Sequence, residues 1–569
     1  MWCMNMMFPL RSATQLGYRY MRGGALCVSM LAAHAAQAAP DPVVPADSTA
    51  PGQPERMVVH MTQRPPILTF PHANPVGQPI RIGGQENRRS GHQYDWGVFN
   101  RGNGEAAGFG PVGRYGVTPW AEDWSNLRDP KKHDDLFDAL KYIPLTRSGN
   151  VWISFSGETR LRNWFETRPG LGTQKPNDSG RFGVRNLYGA DLHIGEHLRF
   201  FGQLVNADAG GWGGYGYGST YRKRLDAQQA FVEVRWNMLG AKSGFMFGRQ
   251  QFLDAPSYML YARETPNVPL SWDGFRAYMV WQRIRIDAWD FVQTDDSDRR
   301  MFHDVENYAS RLYGFNATWA PPDFTFMGQK GYSFVDAFYI GYKLNGSAGA
   351  IVGPKGAVNG SDTRNNFGMR WHGIAGPIEF SVGGIWQGGV FRNASNNAPR
   401  GVSAYAINST VGYRLPEQSL HTFAGIQTDV YSGGNASKNQ GTVGTYLSPF
   451  NPQTNYLDTT TYMTGSNLIS FAPLVRITPF KSVSIQFKYP LFWRDSVNDP
   501  VYKSSGYYKF AGNFRGRFVG MAPQVSVAWQ INTHLSWTQY VSRFMTSRAL
   551  NEAGGSSGTY YQSNFVFRF

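Results

Sequence analysis

From Val151 onward, hydrophobic and polar positions alternate with a period of two. Successive side chains of a strand point to opposite faces, so Val151, Ile153, Phe155, Thr159 and Leu161 form one side and Ser154, Ser156, Glu158, Arg160 and Arg162 the other. The next pair of strands runs from Arg185 to His193, turns through Gly195-Glu196-His197 and returns from Leu198 to Val205. Val184, Tyr188, Leu192, Ile194, Leu198, Phe200 and Leu204 fall on its apolar side, and Arg185, Asp191, His193, Arg199 and Gln203 on its polar side. The alternation recurs at 230–236, 275–281, 367–371, 378–386, 483–489 and 525–531. In the last residues Phe565, Phe567 and Phe569 alternate with Asn564, Val566 and Arg568. Charges keep to one face and aromatic groups to the other, as in strands with lipid on one side and water on the other.

In lipid every backbone polar group must be paired, which a closed barrel achieves. The terminal strand is therefore expected to pair back onto the first. Short turns such as Asn532-Thr533-His534 separate some strands, while Gly/Asn/Ser-rich segments at 345–364 and 432–466 join others. Short turns on one rim and long loops on the other are how outer-membrane barrels are built. The 419 residues from Val151 to Phe569, at about 23 to 26 per strand with its connection, predict an all-β antiparallel transmembrane barrel of roughly 16 to 18 strands. A barrel of that size leaves an aqueous channel. Two soluble architectures, a sandwich ending in an edge strand and a secreted β-propeller, share parts of the pattern.

The residues ahead of the barrel divide into three. Residues 1–38 contain Arg11, Arg19 and Arg22 without an acid, then an apolar run from Ala25 to Ala33 and Ala36-Gln37-Ala38, which reads as a secretory signal peptide. Both cysteines, Cys3 and Cys27, lie within it, so thiol chemistry is absent from the exported chain. Residues 39–119 carry twelve prolines and read as an extended or disordered periplasmic lead. Residues 120–150 form a short amphipathic element: Asp129-Pro130 offers a helix start, Leu136, Phe137 and Leu140 a stripe, and Pro144 an end. After the signal no run of 18 apolar residues occurs and mean hydropathy is −0.40, which excludes helical spans but not a barrel. Loss of the signal leaves 52 basic against 40 acidic residues. On an exported chain that surplus points to outer-membrane lipid or an anionic solute as partner, and not to nucleic acid. The location implied is the outer membrane of a Gram-negative bacterium.

Several motifs match by letter only. His193-Ile-Gly-Glu-His197 fits H-x-x-E-H, but zinc there needs a helix, and Gly195 breaks a hairpin. Gly211-Trp-Gly213-Gly-Tyr-Gly216 lacks the strand and helix that a dinucleotide loop requires. Asn316 and Asn408 begin glycosylation sequons inside predicted strands. No nucleophile elbow is present, so the chain reads as no enzyme, without cofactor or metal. A barrel hydrolase acting at the outer membrane is the alternative from another class.

The best chemical signal is the set of basic residues on polar-face positions: Arg160, Arg162, Arg185, Arg199, Arg235, Arg276, Arg370 and Lys488. A planar guanidinium matches carboxylate bidentately, so these residues suit an anionic solute. For any one of them, pairing with Glu158, Asp191 or Glu233 to stiffen the wall is an equal reading.

Trp120-Ala-Glu-Asp-Trp-Ser-Asn-Leu-Arg-Asp-Pro130, Lys141-Tyr-Ile-Pro-Leu145, Phe247-Gly-Arg-Gln250, Ser271-Trp-Asp-Gly-Phe-Arg276 and the Phe-Arg-Phe terminus together resemble the alginate-export family of outer-membrane porins. The resemblance spans residues 120–569 and implies an 18-stranded barrel with an arginine-rich lumen that passes an anionic polyuronate. It further implies that Arg249, Asp273 and Arg276 line the pore, with Arg263 in the loop between them. Export of an acidic polysaccharide or oligosaccharide, served by periplasmic export machinery, is the function it points to; a small-solute porin for organic acids is the alternative. Fractionation should place the chain in the outer membrane with heat-modifiable migration in detergent gels. Val232→Arg, on the predicted lipid face, should impair assembly by about 2 to 4 kcal/mol if near the bilayer midplane; a soluble periplasmic product would overturn the barrel.

Overall fold

The computed structural model describes residues 97–101 and 114–569, apart from 176, 214–216, 253–254, 257, 261–265, 297, 299, 416–419, 449–455, 481 and 505. The expected signal peptide and nearly all of the proline-rich lead lie outside the described residues. Eighteen antiparallel strands make one closed ring. The first nine are β1 Val151–Thr167, β2 Asp178–Ile194, β3 Leu198–Trp212, β4 Lys223–Met238, β5 Ala241–Gln250, β6 Trp272–Val280, β7 Ile284–Asp295, β8 Val305–Trp319 and β9 Gln329–Gly353. There follow β10 Gly356–Ala375, β11 Ile378–Asn393, β12 Pro399–Arg414, β13 Phe423–Tyr431 and β14 Leu468–Phe480. β15 (Val483–Lys488, then Leu491–Trp493) and β16 (Phe518–Met521, then Gln524–Gln530) are each broken once, at Pro490 and Pro523, where the ladder loses a donor. β17 Leu535–Thr546 and β18 Gly558–Arg568 complete the order, and β18 pairs with β1 from Glu158↔Arg568 to Glu166↔Tyr560.

The predicted alternation sets the two faces. In β1 the even positions from Glu158 to Glu166 are buried inside, while Phe155, Leu161 and Phe165 are exposed outside. Phe315, Tyr339, Phe367 and Trp386 stand at one height on neighbouring strands with ring centroids 5.7, 5.0 and 5.8 Å apart, an aromatic girdle of the kind found at a membrane interface. The connections also sort by rim, with Gly195–His197 and Asn532–His534 short and 251–271, 432–467 and 494–517 long. One expectation fails: residues 345–364 are not a loop. β9 and β10 continue as a hairpin that turns at Pro354-Lys355, because Ile351↔Val358 and Val352↔Ala357 still pair and pack on Phe391, Val402 and Val443.

The seam is tight. The Gly157 amide donates to the Phe569 carbonyl at 3.0 Å, and the Phe569 amide to the Gly157 carbonyl at 3.1 Å. A Cβ on Gly157 would lie 2.2 Å from the Phe569 ring. On the inner side Glu158 accepts from Arg568 of β18 at 2.7 and 2.9 Å and from Nε of Arg185 of β2 at 2.9 Å, tying three strands together.

Residues 114–150 lie across the short-turn rim. The helix expected after Asp129 is instead a series of 3-10 turns at Pro119–Ala121, Ser125–Arg128, Pro130–Lys132 and Leu136–Leu140. Asp135 and Asp138 cap the last turn reciprocally, and prolines interrupt the rest, so no longer helix propagates. Leu136 and Leu140 are exposed; the buried residues are Trp120, Trp124, Leu127 and Tyr142. Phe137 stacks on Phe569 at 4.8 Å, and His534 lies 2.9 Å from Asp135 and 2.8 Å from the Arg568 carbonyl. Burial pushes the Asp135 carboxyl up, but hydrogen bonds from His534, the Phe137 amide and Tyr115 outweigh it and hold the group below the usual carboxylate range. Its contribution to docking is therefore complete above about pH 4 and is lost only in stronger acid.

Gly157→Val should force the Phe569 ring off the seam at a cost of about 1 to 3 kcal/mol. The measurement is the temperature at which the compact band converts to the unfolded one in detergent gels; an unchanged temperature would show that the ring does not bear on closure.

Candidate functional site

Alternation brings seven of the proposed pore cations inside: Arg160, Arg162, Arg185, Arg199, Arg276, Arg370 and Lys488 are all inward and buried. Arg235 occupies an inward position near the short-turn rim and is partly exposed. Most of them face a carboxylate. Arg199 and Arg235 share Glu233, with the second contact at 2.8 Å, and Arg199 also reaches Asp191 at 3.8 Å. Arg276 and Arg285 share Asp287 at 2.7 and 2.5 Å, while Arg370 and His372 share Asp336 at 2.7 and 3.1 Å. Glu158, Asp191 and Glu233 are thus each set against arginines of the wall. Of the Lys, Arg, Asp and Glu buried from residue 151 onward, thirteen are basic and twelve acidic among the described residues. The inner wall is close to neutral.

A second group of these cations grips backbone that folds inward. Arg160 Nη2 donates to the Asn267 carbonyl at 2.9 Å and to its Oδ1 at 3.0 Å; Arg162 Nη1 donates to the Pro266 carbonyl at 2.6 Å, and Arg185 Nη1 to the Asn267 carbonyl at 3.3 Å. Asn267 Nδ2 in turn donates to the Val184, Asp208 and Tyr221 carbonyls at 2.9, 3.3 and 3.1 Å. The β5–β6 connection therefore leaves its own strands and anchors on β1, β2 and β3 inside the barrel. Its other part carries Tyr258, whose carbonyl accepts from Tyr431 of β13 at 3.3 Å. Lys488 Nζ likewise donates to the Tyr456 carbonyl of the β13–β14 loop at 2.6 Å, and the Tyr456 hydroxyl donates to Asp429 at 2.5 Å. Phe252, Tyr258, Met259, Tyr446, Tyr456 and Tyr462 of these loops join one apolar cluster with wall residues from Trp289 to Phe544. The lumen is narrowed by its own loops.

Two expected pore residues stand elsewhere. Arg249 is in register with Ala230 and Asp273, two positions from the exposed Phe247, whose partners are Val232 and Phe275. Alternation therefore puts Arg249 and Asp273 on the outward row at the long-loop end, where they pair at 2.9 and 3.2 Å. Arg276 keeps its inward place, but beside Asp287 and Arg285 it is a wall component rather than an open contact. Arg263 lies outside the described residues. Sequence reasoning passed over Asp287, Asp336, Asn267 and Asp429. The three aspartates were visible as charges on inward parity; Asn267 acts through a loop whose path alternation does not encode.

His193 stacks on Trp152 at 3.8 Å with Asp191 3.2 Å away, and His197 bonds the Arg235 carbonyl at 2.9 Å. The two histidines of the H-x-x-E-H string thus serve different neighbours.

Charge is distributed unevenly along the chain. From residue 345 to 569 the chain carries 18 Lys and Arg against 8 Asp and Glu, whereas residues 114–344 carry 28 against 26. Lys355, Arg392, Lys438, Lys509, Arg515 and Arg548 of the second half are exposed on the long-loop side. Two cavities flank the narrowed section. One of about 410 Å³ at the short-turn rim is lined by Trp152, His193, Arg199, Arg235 and Lys242. The other, of about 740 Å³, lies at the long-loop rim.

Asn267→Ala should orphan the buried partners of its amide, each worth about 1 to 3 kcal/mol, and release the inward loop. Single-channel recording should show higher and noisier conductance; a quiet, unchanged conductance would mean the loop is held by other contacts.

Comparison with known proteins supplies the lineage. The family model described as alginate export matches residues 151–564. No curated protein matches the chain. Similar solved structures include the outer membrane protein opdK of Pseudomonas aeruginosa, with 8% identity, a TM-score of 0.46 and coverage of 73% of this chain and 98% of that one. A BenF-like porin from Pseudomonas fluorescens Pf-5 has 9% identity, a TM-score of 0.45 and coverage of 73% and 99%. OccK11 (OpdR) of Pseudomonas aeruginosa has 10% identity, a TM-score of 0.44 and coverage of 73% and 96%. The chain belongs to the alginate-export family and is an outer-membrane barrel.

Proposed function

We propose, from the premise that this chain is an alginate-export family member, that it is a passive channel for anionic solute and exports an acidic, alginate-like polysaccharide or oligosaccharide. The observation that carries the reading is the positive charge of the second half, 18 basic against 8 acidic residues from 345 to 569, of which eleven basic and two acidic are not buried among the described residues. On a low-dielectric wall such a surplus raises the local concentration of anions and repels cations. The inner wall does different work. Its arginines are committed to carboxylates and to loop carbonyls, which fixes the bore without trapping cargo. Transit requires contacts weak enough to release, and partly exposed cations such as Arg235 and Lys503 meet that need better than a fully buried guanidinium.

Periplasmic export machinery, if it delivers the polymer, would meet residues 114–150 at the short-turn rim. The narrower reading, a porin for small organic acids, draws on the apolar cluster that the inward loops form across the lumen. No residue here is assigned a catalytic role.

In a planar bilayer under a salt gradient the reversal potential should show anion preference, and oligouronates added on one side should appear on the other. Cation preference would overturn the proposal. Passage of monomeric organic acids with exclusion of a tetrauronate would shift the function to the small-solute reading.

A further inference from the structure

The long-loop cavity of about 740 Å³ has a lining unlike the rest of the lumen. Its polar groups are mostly hydroxyls and an amide, among them Thr173, Gln293, Ser310, Ser448, Thr464 and Ser466, with one carboxylate, Asp362, that is buried against Arg364 at 2.9 Å. Two cations complete it, Lys503 and Lys509, carried by a small hairpin of Tyr502–Lys503 and Gly506–Tyr507.

The hairpin is held in place from below. Tyr502 donates to Asp499 at 3.0 Å and Tyr508 to the Tyr462 carbonyl at 2.9 Å, and both tyrosines are buried. Lys503 Nζ lies 5.5 Å from the Tyr508 ring and Lys509 Nζ 5.6 Å from the Tyr507 ring. Neither lysine has a carboxylate partner among the described residues, in contrast to Arg199 and Arg235 at the opposite rim, which share Glu233. A lysine beside an aromatic face keeps its ammonium donors available to a ligand. The cavity volume falls in the range of small-ligand sites.

We propose that this cavity is a saccharide-binding subsite at the outer mouth, taking a short acidic oligosaccharide with carboxylates on Lys503 and Lys509 and hydroxyls on the Ser, Thr and Gln side chains. The assignment rests on the anion-channel reading and adds a defined position where the cargo pauses before release. Hydroxyl-rich walls match sugar hydroxyls, and the two ammonium groups select uronates over neutral sugars. An exit subsite on the charge-rich rim would also oppose backward slippage of a polymer.

The test is calorimetric titration of the intact protein in detergent with tetragalacturonate. Wild type should bind, with an affinity that falls as salt is raised. Lys503→Gln with Lys509→Gln should weaken binding by about tenfold or more, as expected on loss of charge-assisted hydrogen bonds, with heat-modifiable migration confirming the fold. Maltotetraose should not bind. The subsite is overturned by absence of binding in the wild type, by salt-insensitive binding, by equal binding of the neutral sugar, or by an unaffected double variant. Reversal potential measured on the same proteins reports separately on the channel reading: anion preference without titratable binding removes only the subsite, and cation preference removes the reading beneath it.

Discussion

A strand in lipid has no water to satisfy its amides, so the ring must close. Here closure falls to a contact between residues about as far apart as the barrel sequence allows, Gly157 and Phe569, which exchange both backbone hydrogen bonds. The side chains around the seam serve that contact. Glu158 gathers Arg185 and Arg568 on the inner side, glycine at 157 leaves room for the terminal ring, and Phe137 covers that ring from the rim segment.

The same demand for satisfaction explains the interior. A guanidinium taken out of water is costly unless fully partnered, and the wall meets this in two ways. Arg199, Arg276 and Arg370 are set against acids on neighbouring strands; Arg160, Arg162 and Arg185 spend donors on the carbonyls of Pro266 and Asn267. The second solution turns a charge into a hook for a loop. It follows that an arginine-rich lumen need not be an electropositive one.

Much of this was legible in the chain because alternation in a barrel is imposed by lipid. The inward positions of Arg160, Arg185, Arg199 and Arg276 and the outward ones of Phe565 and Phe567 follow from parity, and the pairing of the last strand with the first from the need to satisfy backbone amides in lipid. Parity also puts Arg249, to which resemblance gave a pore role, on the same row as Phe247. Parity says nothing of loops. Asn267 is one residue in a connection with no periodic signal, yet it organises three strands. The composition of 345–364 reads as irregular because Gly, Asn and Ser dominate it, but its few apolar residues, Ile351 and Val358, suffice for a strand when Phe391 and Val443 supply the packing.

That hairpin has a further consequence. β9 has 25 residues, and at about 3.4 Å per residue it runs to about 85 Å along its length, or about 60 Å of height at a tilt near 45°. The apolar band of an outer-membrane barrel is only about 25 Å tall. β9 and β10 therefore rise well clear of the lipid, and Val443 and Tyr507 brace them near the turn. The Pro354-Lys355 tip is thus held far above the membrane, and the strand ends below it, through Ile351, Val352 and Ala357, extend the wall of the long-loop cavity beyond the bilayer.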